Sequence, residues 1–209
     1  MLTTPTFLTL LALGLTTASP VPHEPRASKS LAFHLQLSLA DPSKDLDPSI
    51  AGQYLAPFRV GAGQNAAVVG PQSPEYTYTP FYVNGTVTET TTVLNDLGLP
   101  YPFGIQVQSP QNTPEHTVGI NVGAGSAGLN VGTEAAPALS GPVKGTYAVC
   151  TRQVVTTTKP LVEFVYEGES TPEGCVEVTF VPICAQLNEL PEGSEWTHDF
   201  AQEVYCVEA

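Results

Sequence analysis

From Leu31 to Ala40 the chain alternates without a break. Leu31, Phe33, Leu35, Leu37 and Leu39 occupy one phase, and Ala32, His34, Gln36, Ser38 and Ala40 the other. Successive side chains of an extended chain point to opposite faces, so a period of two predicts a half-buried strand. The same period runs through residues 53–60, 77–83, 86–93, 103–108, 117–122, 146–150, 161–167 and 175–183. These runs are rich in Val, Ile, Thr, Tyr and Phe and are bounded by Gly and Pro, the residues that break strands into turns. Convincing helical periodicity is missing; the only candidates are a turn at Leu187–Leu190 and residues 198–204. The expected fold is all-β and mainly antiparallel, a two-sheet sandwich or squat barrel of about nine or ten short strands with little helix.

Charge narrows the partners. Of 209 residues 13% are charged, with 7 Lys and Arg against 20 Asp and Glu, a formal net charge of −13. Such a chain is a poor match for nucleic acid or another polyanion. Eleven of the acids lie in residues 160–209, which hold no Lys or Arg. Glu163, Glu167 and Glu177 fall on the polar phase of their strands, which predicts a solvated sheet face. Asp41, Asp45 and Asp47 do not form a calcium loop, and no cofactor or metal is expected.

Residues 7–15, FLTLLALGL, are too short to span a bilayer, which takes about 20 residues, and they precede the small-residue stretch Thr16-Thr17-Ala18-Ser19. This is the shape of a signal peptide over residues 1–18, cleaved after Ala18, although it lacks a basic residue before the apolar run. Residues 19–30 read as a linker or short pro-segment in which Arg26 is a candidate processing site, and residues 31–209 as a single β domain. The mature chain is expected outside the cell and free of the membrane.

Export makes the four cysteines, Cys150, Cys175, Cys184 and Cys206, a pair of disulfides. Their spacings of 25, 9 and 22 residues fit no zinc pattern. If residues 175–184 form one strand, its ends lie ~30 Å apart, whereas a disulfide needs Cα atoms ~5.5 Å apart; Cys175 therefore cannot bond Cys184. A simple meander of strands 146–150, 161–167 and 175–183 favours 150–184 with 175–206. The remaining pairing, 150–175 with 184–206, requires a different strand order.

Asn84-Gly85 between strand-like runs predicts a two-residue type I′ hairpin, and Asn84-Gly85-Thr86 is also an N-glycosylation sequon. VGAGQNAAVVG (60–70) and VGAGSAGLNVG (122–132) agree at six of eleven positions and read as two glycine-lipped hairpins. The second contains G-x-G-x-x-G at Gly123–Gly128, but no helix follows to receive a phosphate, so the motif reads as turn chemistry.

Catalytic motifs are absent from the sequence. His23 lies in the linker, His34 on a polar strand phase and His116 in a Pro-flanked turn. Only Trp196-Thr197-His198-Asp199-Phe200 combines a histidine, an acid and aromatics. Tyr76, Tyr78, Phe81, Tyr82, Tyr101 and Phe103 cluster in mid-chain and could form a row of rings for stacking on sugar. A cleft with two facing carboxylates, or His198 within reach of Asp or Ser, would favour a hydrolase. An exposed aromatic row would favour a carbohydrate-binding module.

The strings AGQYLAPFRVGAGQNA (51–66), PFYVNGT (80–86), PYPFGIQVQ (100–108), INVGAGSAG (120–128) and EGCVEVTFVPICAQLNELPEGSEWTHDFAQEVYC (173–206) resemble a family of small secreted proteins of filamentous fungi known only as a domain of unknown function. The resemblance implies an exported fungal protein of one domain and transfers no active site. The expected function is non-enzymatic: a cell-wall-associated or effector-like module that recognises a wall glycan or a host protein.

Overall fold

The computed structural model describes residues 27–72, 79–86, 90–108 and 116–208. The signal-peptide reading, His23, Arg26, Tyr76 and Tyr78 lie outside the described residues. Among the described residues thirteen strands follow one another: β1 (Ala27–Ser30), β2 (Ala32–Leu39), β3 (Tyr54–Gly61), β4 (Gln64–Gly70), β5 (Phe81–Asn84), β6 (Thr92–Asn95), β7 (Phe103–Val107), β8 (Val118–Val122), β9 (Gly145–Val154), β10 (Thr157–Tyr166), β11 (Cys175–Ala185), β12 (Ala201–Gln202) and β13 (Val204–Val207). Among the described residues the only helical turn is the 3-10 segment Pro42–Lys44. The all-β expectation is met. The pairings connect every strand into one sheet, antiparallel except for a single parallel contact of β11 with β13. Nine of them close a ring in the order β11, β9, β10, β4, β8, β7, β6, β5, β2 and back to β11.

The inward phase supplies one core. Phe33, Leu35 and Leu37 of β2 meet Phe81 and Val83 of β5, Tyr147 and Val149 of β9, Phe164 of β10 and Phe180 of β11. Tyr147 packs edge-on against Phe164 and Phe180, with ring centroids 5.2 and 5.6 Å away, in the arrangement aromatic quadrupoles prefer. The side chains alternating with these face outward, and a small second cluster of Val68, Val154 and Leu161 gathers there beneath Phe58.

Several expectations change. Paired backbone begins before Leu31: Ala27–Ser30 forms β1 against β13, with the Lys29 ammonium 4.9 Å from the Tyr205 ring centroid. Asn84 is not at a hairpin tip. It pairs with Thr92 on one side and Ala201 on the other, so the β5–β6 connection is residues 85–91. β5 runs through Asn84, paired on both sides, and the Gly85 N–H donates to the Phe200 carbonyl at 3.1 Å. Residues 198–204 supply β12 and the start of β13 instead of a helix, and Leu187–Leu190 is not helical.

Of the two glycine-rich stretches, the first is the β3–β4 hairpin, turned at Ala62-Gly63 with Gly63 at φ 66°. The second forms no hairpin. There Gly125 lies against Gly104 of β7 so closely that a Cβ on Gly104 would sit 2.2 Å from the Gly125 nitrogen. Its glycines allow backbone to pack on backbone, a role that needs no side chain at either position.

The favoured disulfide pairing is overturned. The bonds are Cys150–Cys175 and Cys184–Cys206. The meander fails because β11 pairs antiparallel with β9 itself, Cys175 opposite Cys150, and leaves β10 on the far side of β9. Strand β13 then runs beside the C-terminal half of β11 and brings Cys206 to Cys184.

Candidate functional site

Strand β3 pairs with β4 along its length but with β2 only through Gln36 and Tyr54. Beyond Tyr54 it leaves β2, and among the described residues its second edge has no strand partner. Pro57 sits in this stretch; with no N–H to donate, proline is tolerated at a sheet edge. The connection from β6 to β7 runs opposite. Between them lies an open groove of about 450 Å³ lined by Pro57, Phe58, Arg59, Leu99, Tyr101 and Phe103, with Asn65 at the hairpin side. Tyr101 is 48% exposed and its ring lies 5.8 Å from that of Phe103. The Asn65 amide donates to the Ile120 carbonyl at 2.7 Å, which holds the hairpin to β8.

Among the described residues the expected row of rings is not displayed. Phe81, Tyr82 and Phe103 are buried, because each stands on a strand phase that another element covers. Among the described members only Tyr101 reaches solvent. The Tyr82 hydroxyl accepts from Trp196 Nε1 at 2.7 Å, and the His198 ring packs edge-on against it at 5.1 Å. His198 Nε2 lies 3.5 Å from Asp96 Oδ1 but makes no hydrogen bond. Asp96 is occupied by the segment that returns over β5: its Oδ2 accepts from the Asn188 N–H and its carbonyl oxygen from the Asn188 side chain, both at 2.6 Å. The Trp196–Phe200 motif is thus a strap fastened over Tyr82. The histidine of this motif was legible in the sequence; the carboxylate nearest it, Asp96 from far earlier in the chain, was not.

Burial pushes the Tyr82 hydroxyl up to about 12 and the Tyr147 hydroxyl higher still. A tyrosine raised above its ordinary ~10 stabilises the fold fully below pH ~10, and that contribution is lost as pH rises towards 12. In an alkaline titration followed by tyrosinate absorbance, Tyr82 and Tyr147 are expected to ionise only as the protein unfolds. Reversible ionisation of every tyrosine at ordinary pH with the fold intact would contradict their burial.

Glu163 departs from the solvated-face expectation. Its phase is the outward one, but it is 1% exposed. Arg152 Nε donates to its Oε1 at 3.0 Å, and Arg152 Nη2 approaches Cys175 Sγ at 3.5 Å. Glu163 Oε2 has no hydrogen-bond partner. A shallow cleft of about 300 Å³ next to it holds His116 and Glu169. His116 Nε2 lies 3.1 Å from Glu169 Oε1, and the ring packs edge-on to Tyr166. The Tyr166 N–H, followed by His116, holds the Glu169 carboxyl below its ordinary value. His34 stands half-buried, edge-on to Tyr54. Asp41 and Asp45 are used by their own loop: Asp41 accepts from Ser43, and Asp45 from Leu46, Ser49 and Ile50. Asn84 is half-buried in β5 with its side-chain oxygen enclosed.

These observations define a doubly cross-linked all-β domain with an open groove beside a strand edge. The chain belongs to the family described as Domain of unknown function (DUF7907), whose profile matches residues 30–184 and so takes in both walls of the groove. It is also similar to the Antigenic protein SchS34 of Stachybotrys chartarum, 29% identical over 205 residues that cover 90% of each chain. No solved structure matches it.

Proposed function

We propose that this is an exported, non-enzymatic recognition protein of a filamentous fungus, acting at the cell wall or on a host surface through the β3 groove. The observation that carries the reading is Tyr101, half exposed across an open groove from Phe58 and Arg59. Binding sites are commonly concave and apolar with a few placed polar groups, as here with Arg59 and Asn65. Two disulfides suit an oxidising exterior. The relative's name, an antigenic protein, agrees with a protein met outside the cell.

Export predicts a mature N-terminus at Ser19 in culture medium, read by N-terminal sequencing; a retained intracellular chain that begins at Met1 would end this reading. Any N-glycan should sit on Asn84, seen as an endoglycosidase mass shift that Asn84→Gln removes. Recognition predicts that the mature protein is retained on an array of wall glycans and host surface proteins, and that Tyr101→Ala reduces retention at least tenfold. Equal retention of the variant would remove the groove from the function.

A hydrolase is the second reading, favoured only by the cleft that holds Glu163 and Glu169. Its chemistry is poorly served there. One carboxylate of such a pair must carry a proton as general acid, yet Glu169 is held ionised and Glu163 is engaged by Arg152. Turnover of a wall polysaccharide that Glu163→Gln abolishes would reverse the order of the two readings.

A further inference from the structure

Resting on the recognition reading, we infer that the occupant of the β3 groove is an extended polypeptide segment that carries a carboxylate beside apolar side chains. Three features bear on its chemistry. The first is the apolar collar. Leu99 and Tyr101 line the groove at 38% and 48% exposure. Val122, at 45%, lies against the groove's Gly63, to whose carbonyl it donates at 3.0 Å. The lining sets Leu97 and Leu99 beside the rings of Phe58, Tyr101 and Phe103, and leucine beside aromatic rings gives pockets for the apolar side chains of a polypeptide.

The second feature is Arg59. Lys29 lies over Tyr205, Lys44 near Asp41, Lys144 near Glu167, Arg152 on Glu163, and Lys159 over Phe58. Among the described residues Arg59 is the cation with no such partner, and none of the groove's lining residues is acidic. On a chain of net charge −13 the groove's one charged lining residue is thus a cation, and a guanidinium fork is matched by a carboxylate. The third feature is the β3 edge beyond Tyr54, which runs along one wall. An extended chain placed there can hydrogen-bond to it as an added strand and present alternate side chains to the collar and to Arg59.

The test uses the mature protein and fluorescein-labelled decapeptides of alternating Leu and Glu, with a Leu and Lys set as control and chitin, β-glucan and mannan hexasaccharides as competitors. Binding of the Leu/Glu set at least tenfold tighter than the Leu/Lys set is expected. Arg59→Gln should lose tenfold or more and Tyr101→Ala a similar factor; both residues are exposed, so folding is spared. Equal binding of the two sets, no effect of Arg59→Gln, or displacement by a hexasaccharide overturns the inference. If the peptides fail while wall or host retention still falls in Tyr101→Ala, the groove reading survives and only the polypeptide occupant is lost. If neither variant alters peptide binding or retention, both fall.

Discussion

Replacing Arg152 with methionine is expected to destabilise the protein by about 3–5 kcal/mol. Glu163 is almost wholly buried, and the Arg152 guanidinium is the positive charge bonded to it. Removing that charge leaves a carboxylate in low dielectric with one oxygen already lacking a partner, and the desolvation cost is then uncompensated. Methionine retains most of the arginine stem, so lost packing contributes little. The double variant Arg152→Met/Glu163→Leu removes both charges and is expected within about 1 kcal/mol of the parent, on either side of it. Denaturant unfolding of the parent, both singles and the double closes the cycle. A single Arg152→Met that unfolds within 1 kcal/mol of the parent would mean that the carboxylate is solvated and the burial wrong.

Loss of the Cys184–Cys206 bridge is the second large effect. The bond spans 22 residues, and the chain-entropy relation for a loop of that length gives about 3 kcal/mol. The consequence should be regional. β13 meets β11 through one residue pair and β1 through four, so without the bond little besides Cys206 and Val204 in the core retains it. Cys184→Ser/Cys206→Ser should therefore unfold at lower denaturant and expose the β13 end to protease before the ring of strands opens. Cys150–Cys175 instead joins residues already opposite in a ladder of β9 and β11. Its removal should leave the C-terminal segment protected. A non-reducing peptide map should recover 150–175 and 184–206 as linked pairs; recovery of 150–184 would refute the strand order itself.

Local periodicity was enough to locate most strands. The alternation at Leu31–Ala40 placed Phe33, Leu35 and Leu37 inward, and they are buried. The groove was only partly visible: Tyr101 and Phe103 stood out as aromatics, whereas Arg59 carried no signal, because its meaning comes from what surrounds it. Glu163 and Tyr82 show the same limit. Both occupy the outward phase, and both are enclosed there, one by Arg152 and the disulfide, the other by the Trp196–Phe200 strap.

The order of residues along this chain was sufficient to establish extended backbone, a two-faced pattern in each strand, and cysteines that cross-link under oxidation. These follow from covalent geometry and neighbours a few positions away. Which strand lies beside which, and what covers each outer face, arose from contacts across many residues: β11 choosing β9 over β10, Asp96 meeting Asn188, β3 departing from β2. Alternation records that a side chain faces in or out, but water is excluded by whatever else packs there, and that partner can lie anywhere in the chain.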